Sequence, residues 1–188
     1  MNKTLLPLGV TGSSGVLGGI VATALSKPGI EQRLLLRTPS RAPLLAGSTV
    51  VAASYENTVR TRKALSGIGT LFMVSASESA DRLDQHRAFI DAAVDSGVNH
   101  VVYTSFMAAA ADAVFTLARD HFATEEYIKS SGLAWTFLRD NFYADFMSAM
   151  VGEDGAIRGP AGNGRCSIVA RADVARTAAA VLQEPSKH

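Results

Sequence analysis

The residues best suited to bind a ligand form one glycine-rich stretch near the amino end. Residues 10–19 read VTGSSGVLGG, in which Gly12, Gly15 and Gly18 match the spacing G-x-x-G-x-x-G. Glycines let a backbone approach a diphosphate closely, and the free N–H groups at a following helix start attract its charge. The stretch therefore predicts a dinucleotide phosphate loop, to which the hydroxyls of Ser13 and Ser14 add donors. The alternative is a plain glycine-rich corner between a strand and a helix.

A basic residue follows the second apolar run. Sites for NAD commonly end the second strand with an acid that holds the ribose 2′-hydroxyl. Here RLLL is followed by RTPSR, and Arg37 takes that position. A guanidinium suits a 2′-phosphate, so the sequence favours NADPH as the cofactor, with NADH as the second choice. The alternative is a solvated arginine on a loop.

The Tyr-x-x-x-Lys pair of short-chain dehydrogenases is missing. Four positions after each of the four tyrosines stand Val59, Met107, Ser131 and Met147. An alcohol dehydrogenase that uses such a tyrosine as its acid is therefore not expected. The single cysteine, Cys166, has no recognisable base beside it, and no metal site is predicted.

These residues need strands and helices to position them, and the hydrophobic pattern predicts both. Short apolar runs alternate with longer amphipathic segments, which is typical of an α/β fold whose parallel strands are buried on both faces. The predicted strands are Leu5–Val10, Arg33–Leu36, Ser48–Ala53, Thr70–Val74, His100–Tyr103 and Leu133–Leu138. The predicted helices are Gly15–Ser26, Thr58–Ser66, Asp81–Asp95 and Leu117–Ser131. Pro7 lacks an N–H for the ladder, which would shorten the first strand to about Leu8–Val10.

Length and charge favour a single domain over residues 1–188. The chain is 47% hydrophobic, and its 18 basic residues nearly balance its 17 acidic ones. A net charge of +1 gives no electrostatic case for nucleic acid or an anionic membrane as a partner. Neither a signal peptide nor a membrane-spanning stretch is recognised, so we expect a cytoplasmic protein.

Several segments, in order along the chain, resemble one family. They are VTGSSGVLGG, LLLRTP, SAS, QHRAFIDAAVDSGVNHVVYTSF, HFATEEYIKSSGLAWTFLRDNFY and RADVA. They resemble the NmrA-like atypical short-chain dehydrogenases/reductases, and within that group the type 2 NAD(P)H:quinone oxidoreductases and the triphenylmethane and azo-dye reductases. The resemblance implies a Rossmann-like fold, a doubly wound parallel sheet with helices on both faces, and NADPH as cofactor.

The resemblance also implies where the cofactor binds. The phosphate loop would be Gly12–Leu17, Arg37 would meet the 2′-phosphate, and Ser75–Ser77 would line the ribose side. Residues 140–145 and Arg171 would approach the nicotinamide end. The implied cofactor-binding residues are Gly12, Ser13, Ser14, Gly15, Val16, Leu17, Arg37, Ser75, Ala76, Ser77, Asp140, Asn141, Phe142 and Arg171.

The candidate catalytic residues are His121 and Tyr143. His121 falls where some relatives place a catalytic lysine, and it can donate a hydrogen bond or a proton to a developing oxyanion. The alternative is a structural histidine at a helix start, bonded to a loop carbonyl. Tyr143 and Phe142 can stack on an aromatic substrate, although core packing is the other role for Phe142. His86 is expected to be a structural helix residue.

Quinone reduction does not need a strong acid catalyst, because hydride transfer leaves a fairly stable hydroquinonate. We therefore expect an NADPH-dependent oxidoreductase that transfers hydride to quinones or similar conjugated aromatics, with homodimer formation left open. The alternative is a non-catalytic NADP(H)-sensing regulator that binds a partner protein. A lyase or epimerase is the weakest alternative, since the tyrosine–lysine pair is missing.

The sequence departs from the family pattern in two places near the acceptor side. Asp140 stands where relatives commonly have asparagine, with Asn141 one place later. A carboxylate there would either weaken NADPH binding or change the hydrogen bonding near the nicotinamide. Relatives also continue well beyond RADVA, so we expect a C-terminal substrate region that is short or missing, with residues of about 140–170 forming a partial pocket.

Overall fold

The computed structural model describes residues 6–159 and 162–187, in which the six strands of a main sheet are interspersed with five α-helices. The strands of the main sheet are β1 (Leu8–Thr11), β2 (Gln32–Leu36), β3 (Ser48–Ala52), β4 (Thr70–Met73), β5 (His100–Phe106) and β6 (Ala134–Asp140). The helices are α1 (Val16–Leu25), α2 (Val59–Leu65), α3 (Arg82–Asp95), α4 (Thr116–Ser130) and α5 (Arg171–Gln183).

The main sheet is parallel throughout and has the strand order β3-β2-β1-β4-β5-β6. The chain therefore winds outward from β1 to β3, returns to β4 beside β1, and then winds outward in the other direction. A crevice opens above the carboxyl ends of the strands where the winding reverses, and ligands of such sheets bind there. That crevice lies between β1 and β4.

Two apolar cores cover the two faces of the sheet. Helices α2, α3 and α4 contribute Leu65, Phe89 and Ile128 to one core. Helices α1 and α5 contribute Val21 and Leu182 to the other. Because strands buried on both faces need apolar residues on both sides, the near-continuous apolar runs in the sequence are explained. The predicted doubly wound α/β fold is confirmed.

The strand boundaries differ from the expected ones by one to three residues. The first strand begins at Leu8, as the proline argument predicts, and Leu5 lies outside the described residues. Strands β5 and β6 run further than predicted, to Phe106 and Asp140. They pair with each other over their whole lengths, so polar residues at their carboxyl ends are kept in the ladder.

A second, two-stranded sheet follows β6. It pairs β7 (Phe142–Tyr143) with β8 (Ile168–Val169) in parallel, and a 3₁₀ helix, Ala144–Met150, follows β7. These elements place residues 142–150 and the start of α5 beside the carboxyl end of β6. In the described part of the chain, no helix is both long and apolar enough to cross a membrane.

Candidate functional site

The turn from β1 into α1 depends on two glycines that no other residue replaces without strain. Gly12 has a φ of 66°, a backbone conformation that residues with a Cβ rarely adopt. A Cβ on Gly18 would lie 2.4 Å from the carbonyl oxygen of Gly12, so α1 packs directly against the turn. The N–H of Gly15 closes the turn by donating to Gly12 O at 2.9 Å. The sequence pattern thus corresponds to a real close approach of helix and strand.

The start of α1 leaves polar groups available for a ligand. Its N-cap, Gly15, has no side-chain cap, and the hydroxyl of Ser13 is buried without a hydrogen-bond partner among the described residues. An unpartnered buried hydroxyl is costly, and an anion at the helix start would satisfy both it and the first N–H groups. The residues present therefore fit the diphosphate of a dinucleotide. Leu17 packs into the core below, and Val16 is exposed.

A cavity of about 320 Å³ lies at this end of β1, β2 and β4. It brings together residues that the sequence analysis assigned to one ligand, together with Tyr55. The predicted residues that line it are Gly12, Ser14, Arg37, Ser75, Ala76 and Ser77. Arg37 follows β2 with an exposed side chain, as a residue that meets a phosphate at the rim should. The structure thus assembles the predicted cofactor loop, the basic residue and the serine segment around one space.

Tyr55 was not predicted as a site residue. Its hydroxyl donates to the carbonyl of Val74 and lies 2.8 Å from the hydroxyl of Thr11, and its ring stacks on Phe89. Burial raises the pKa of Tyr55 above its ordinary value, so the phenol stays protonated. It ties the end of β3 to β1 and β4 under the cavity. A tyrosine after a strand carries no periodic signal that would have revealed these contacts.

His121 lies inside the protein rather than in the cavity. Its Nδ1 is 2.9 Å from the Tyr103 hydroxyl, and its Nε2 is 3.2 Å from a terminal nitrogen of Arg82. A guanidinium can only donate, so Nε2 accepts and Nδ1 carries the proton. Burial, followed by the charge of Arg82, lowers the pKa of His121 to about 3. Both ring nitrogens are engaged with side chains instead of the loop carbonyl considered from the sequence, and the proton-donor role stays a prediction.

A second polar cluster lies at the carboxyl end of β6. The Tyr143 hydroxyl donates to the carboxylate of Asp140 at 2.5 Å, and burial raises the pKa of Asp140 to about 6. The guanidinium of Arg171 lies over the rings of Tyr143 and Phe146, 5.2 and 4.2 Å from their centroids. The backbone N–H of Arg171 donates to the carboxylate of Asp145, which balances the partial positive charge at the start of α5.

An open groove of about 420 Å³ runs past this cluster and is lined by Asp140, Asn141, Met107 and Ile168 among others. Next along the chain to the lining residues Met107 and Asn141, Phe106 and Phe142 form an aromatic cluster with Phe115. Phe106 and Phe115 lie 5.5 and 5.7 Å from the ring of Phe142, which remains 46% exposed. An exposed aromatic held by two others offers a flat apolar surface. The structure therefore brings Asp140, Asn141, Phe142, Tyr143 and Arg171 together, apart from the cavity that holds the glycine loop.

Comparison with protein families agrees with this geometry. The sequence profile of a family described as NAD(P)H-binding matches residues 12–185. Quinone oxidoreductase 2 of Escherichia coli is 35% identical over 184 residues, which cover 94% of this chain and 64% of that protein. An NAD(P)H azoreductase of Xenophilus azovorans is 28% identical, over 94% of this chain and 63% of that protein. The chain thus spans less than two thirds of the length of these curated relatives.

A solved structure shows the same arrangement of elements. The triphenylmethane reductase of Citrobacter sp., crystallised with NADP(H), superposes with a TM-score of 0.84 at 34% identity. The match covers 94% of this chain and 66% of that one. The resemblance that the sequence motifs predicted is thereby confirmed.

Proposed function

The chain belongs to the NAD(P)H-binding family, and from this premise we propose that it is an NADPH-dependent reductase of quinones or similar conjugated aromatic compounds. The observation that carries the proposal is the cavity in which the glycine loop, Arg37 and Ser75–Ser77 meet. When bound, the cofactor supplies a hydride from its nicotinamide ring. The protein's own task is then to hold the cofactor, align a flat acceptor and limit the access of water.

The glycine loop and Arg37 hold the two phosphate-bearing parts of the cofactor. The N–H groups at the start of α1 and the hydroxyls of Ser13 and Ser14 bind the diphosphate, for which the unpartnered Ser13 hydroxyl is the supporting observation. Arg37, exposed at the rim, binds the 2′-phosphate. Ser75–Ser77 form the wall on the ribose side, and Asp140, Asn141, Phe142 and Arg171 bind the nicotinamide end.

The acceptor binds on the aromatic side of the cleft. Phe142, held by Phe106 and Phe115, supplies a face on which a flat ring stacks. Tyr143 offers a hydroxyl that already interacts with Asp140, and this pair can hold a proton near neutral pH beside the acceptor. The names of the relatives, quinone oxidoreductase and azoreductase, support an extended conjugated acceptor.

The first experiment separates a reductase from a sensor of NADP(H). NADPH oxidation is followed at about 340 nm, the absorption of the reduced nicotinamide, with a simple benzoquinone as acceptor. Turnover supports the reductase. NADPH binding by calorimetry without turnover would contradict the reductase and favour the regulatory alternative.

Cofactor choice is tested by Arg37→Asp. Loss of a charge-assisted contact to the 2′-phosphate should weaken NADPH binding about 10- to 100-fold and leave NADH binding nearly unchanged. Arg60→Asp is the matched control, since Arg60 is exposed on α2 and does not line the cavity. Equal losses for both cofactors would contradict the assignment of Arg37.

A further inference from the structure

Two side chains of α3 form hydrogen bonds with the backbone of Ala76, a residue that lines the cofactor cavity. The N–H of Ala76 donates to Nε2 of His86 at 2.8 Å. The carbonyl of Ala76 accepts from Nε of Arg82 at 2.9 Å. We propose that Arg82 and His86 are positioning residues that set the shape of the cofactor cavity by fixing this peptide. The inference rests on the proposed function in that the cavity is taken as the NADPH site.

His86 fits this role because its protonation is defined by its neighbours. Its Nε2 accepts from a backbone N–H, so its proton is on Nδ1, which lies 2.8 Å from the hydroxyl of Thr124. Thr124 in turn donates to the carbonyl of Asp120 in α4. The His86 side chain is fully buried. A chain of three hydrogen bonds thus runs from the cavity wall through α3 to the backbone of α4.

Arg82 makes a parallel connection. It is 3% exposed, and each of its three nitrogens has a partner. Besides Ala76, these are the carboxylate of Asp120 at 3.1 Å and Nε2 of His121 at 3.2 Å. A planar fork suits such a junction because its donors point in fixed directions, whereas a lysine ammonium would reach only part of it. Arg82 therefore holds the cavity wall and the orientation of His121 at once.

A loop peptide has no neighbouring strand to fix it, which is why these contacts matter. The segment after β4 lines the cavity with Ser75, Ala76 and Ser77, whereas Arg82 and His86 do not line it. The N–H of Ser75 donates to the hydroxyl of Thr104 in β5, which anchors the other end of the segment. Cofactor affinity should consequently depend on two residues that lie outside the cavity.

Two measurements test the proposal on the full chain. The first is hydrogen exchange of the Ala76 amide, resolved by NMR, which needs no cofactor. The second is the dissociation constant for NADPH by calorimetry. In His86→Leu, which has no acceptor, Ala76 exchange should accelerate at least tenfold and NADPH binding should weaken about tenfold. His86→Gln places an amide oxygen where it can accept, and it should recover most of both effects.

Arg82→Lys should weaken NADPH binding severalfold while keeping the charge. Arg87→Met is the control, since Arg87 lies on the exposed side of the same helix and should leave both measurements unchanged. A folded His86→Leu variant with normal Ala76 exchange and normal NADPH affinity would overturn the proposal. If His86→Leu does not fold, fast exchange of the Ala76 amide in the unmodified protein would overturn it instead. Absence of quinone turnover alone would contradict the reductase and leave the positioning role standing.

Discussion

The cavity beside the glycine loop and the groove beside β6 are built differently, and we call them the cofactor side and the acceptor side after the ligands we propose for them. On the cofactor side, formed by the glycine loop, the β4–α3 segment and the side chains beneath it, Gly18 packs against the backbone and His86 is fully buried. On the acceptor side, formed by β7, β8 and residues 140–159, Phe146 and Ile168 remain about half exposed. Its small sheet pairs only two residues of each strand.

This difference indicates where each side can change. On the cofactor side, the glycine loop offers backbone N–H groups whose positions are fixed by close packing, so a substitution in that loop affects the fold and the proposed diphosphate site together. On the acceptor side, the proposed binding groups are side chains on short elements, so they can be replaced singly. Substitutions in the glycine loop should therefore change stability and binding together, whereas substitutions of exposed side chains, such as Arg37 and those on the acceptor side, should change them separately.

The largest expected effect is that of Gly18→Ala. The new Cβ would lie 2.4 Å from the oxygen and 2.5 Å from the carbon of the Gly12 carbonyl, and backbone atoms cannot move aside as a flexible side chain can. We expect a loss of at least about 3 kcal/mol in the free energy of unfolding, with NADPH binding lost as well. Urea denaturation and calorimetry measure the two losses.

Gly159→Ala provides the contrast on the acceptor side. A Cβ at Gly159 would meet no atom of the described residues within 4 Å, so stability should change by no more than about 0.5 kcal/mol. Wild-type stability of Gly18→Ala would show that α1 and the turn tolerate separation, and the difference between the two sides would disappear.

The second-largest expected effect is a loss of stability in acid, caused by the buried histidines. Burial lowers the pKa values of His86 and His121 to about 3, well below those of histidines in an unfolded chain. Their contribution to stability is complete above about pH 6.5 and is lost as the pH falls toward 3. Over this range the two histidines bind protons in the unfolded chain but stay neutral in the folded chain. Because of each histidine, the free energy of unfolding should fall by on the order of 1 kcal/mol between pH 6 and pH 5.

Denaturation curves at pH 7, 6, 5 and 4 check this prediction, with His86→Gln as the comparison. The variant should lose stability less steeply than the unmodified protein over this range. Parallel pH profiles of the two would show that His86 takes up a proton in the folded state, and the buried network on the cofactor side would not be as closed as described.

The sequence predicted the structural elements of the cofactor side well where the signal was local. The alternating apolar runs, the glycine spacing and the cation after β2 each lie within about ten residues, and they correspond to β1, α1 and Arg37 in the structure. The neighbours of His121 were not predictable in this way. Arg82 is 39 positions away on α3 and Tyr103 is 18 positions away on β5, so both contacts form between separate elements and no local pattern reveals them.

The acceptor side was predicted less well for a related reason. Strands β7 and β8 are two residues each and pair across a stretch that includes a 3₁₀ helix, so no window of sequence shows them. Asp140 and Tyr143 were noted as candidates, but their hydrogen bond depends on the turn that follows β6. Side-chain clusters on short, irregular elements need the folded chain before they can be recognised.

The smallest effect is expected for Asp140→Asn, whose sign is opposite to that of the histidines. Burial raises the pKa of Asp140 from 3.8 to about 6, so the folded chain favours the protonated carboxyl. The stability that Asp140 contributes is therefore present below about pH 4 and is lost as the pH rises through 6. Asparagine has no charge to bury, and the variant should be more stable on the order of 1 kcal/mol at pH 8 and equally stable at pH 4.

Asp145→Asn is the control on the same side, since hydrogen bonding from the backbone N–H of Arg171 lowers the pKa of Asp145. That variant should be less stable at pH 8, and its difference from the unmodified protein should vanish in acid. The two carboxyls lie five positions apart on the side of the cleft where residues act singly, so their effects should add in the double variant. A double variant that departs from additivity would mean that the acceptor side is a coupled network like that around His86, and the contrast between the two sides would have to be given up.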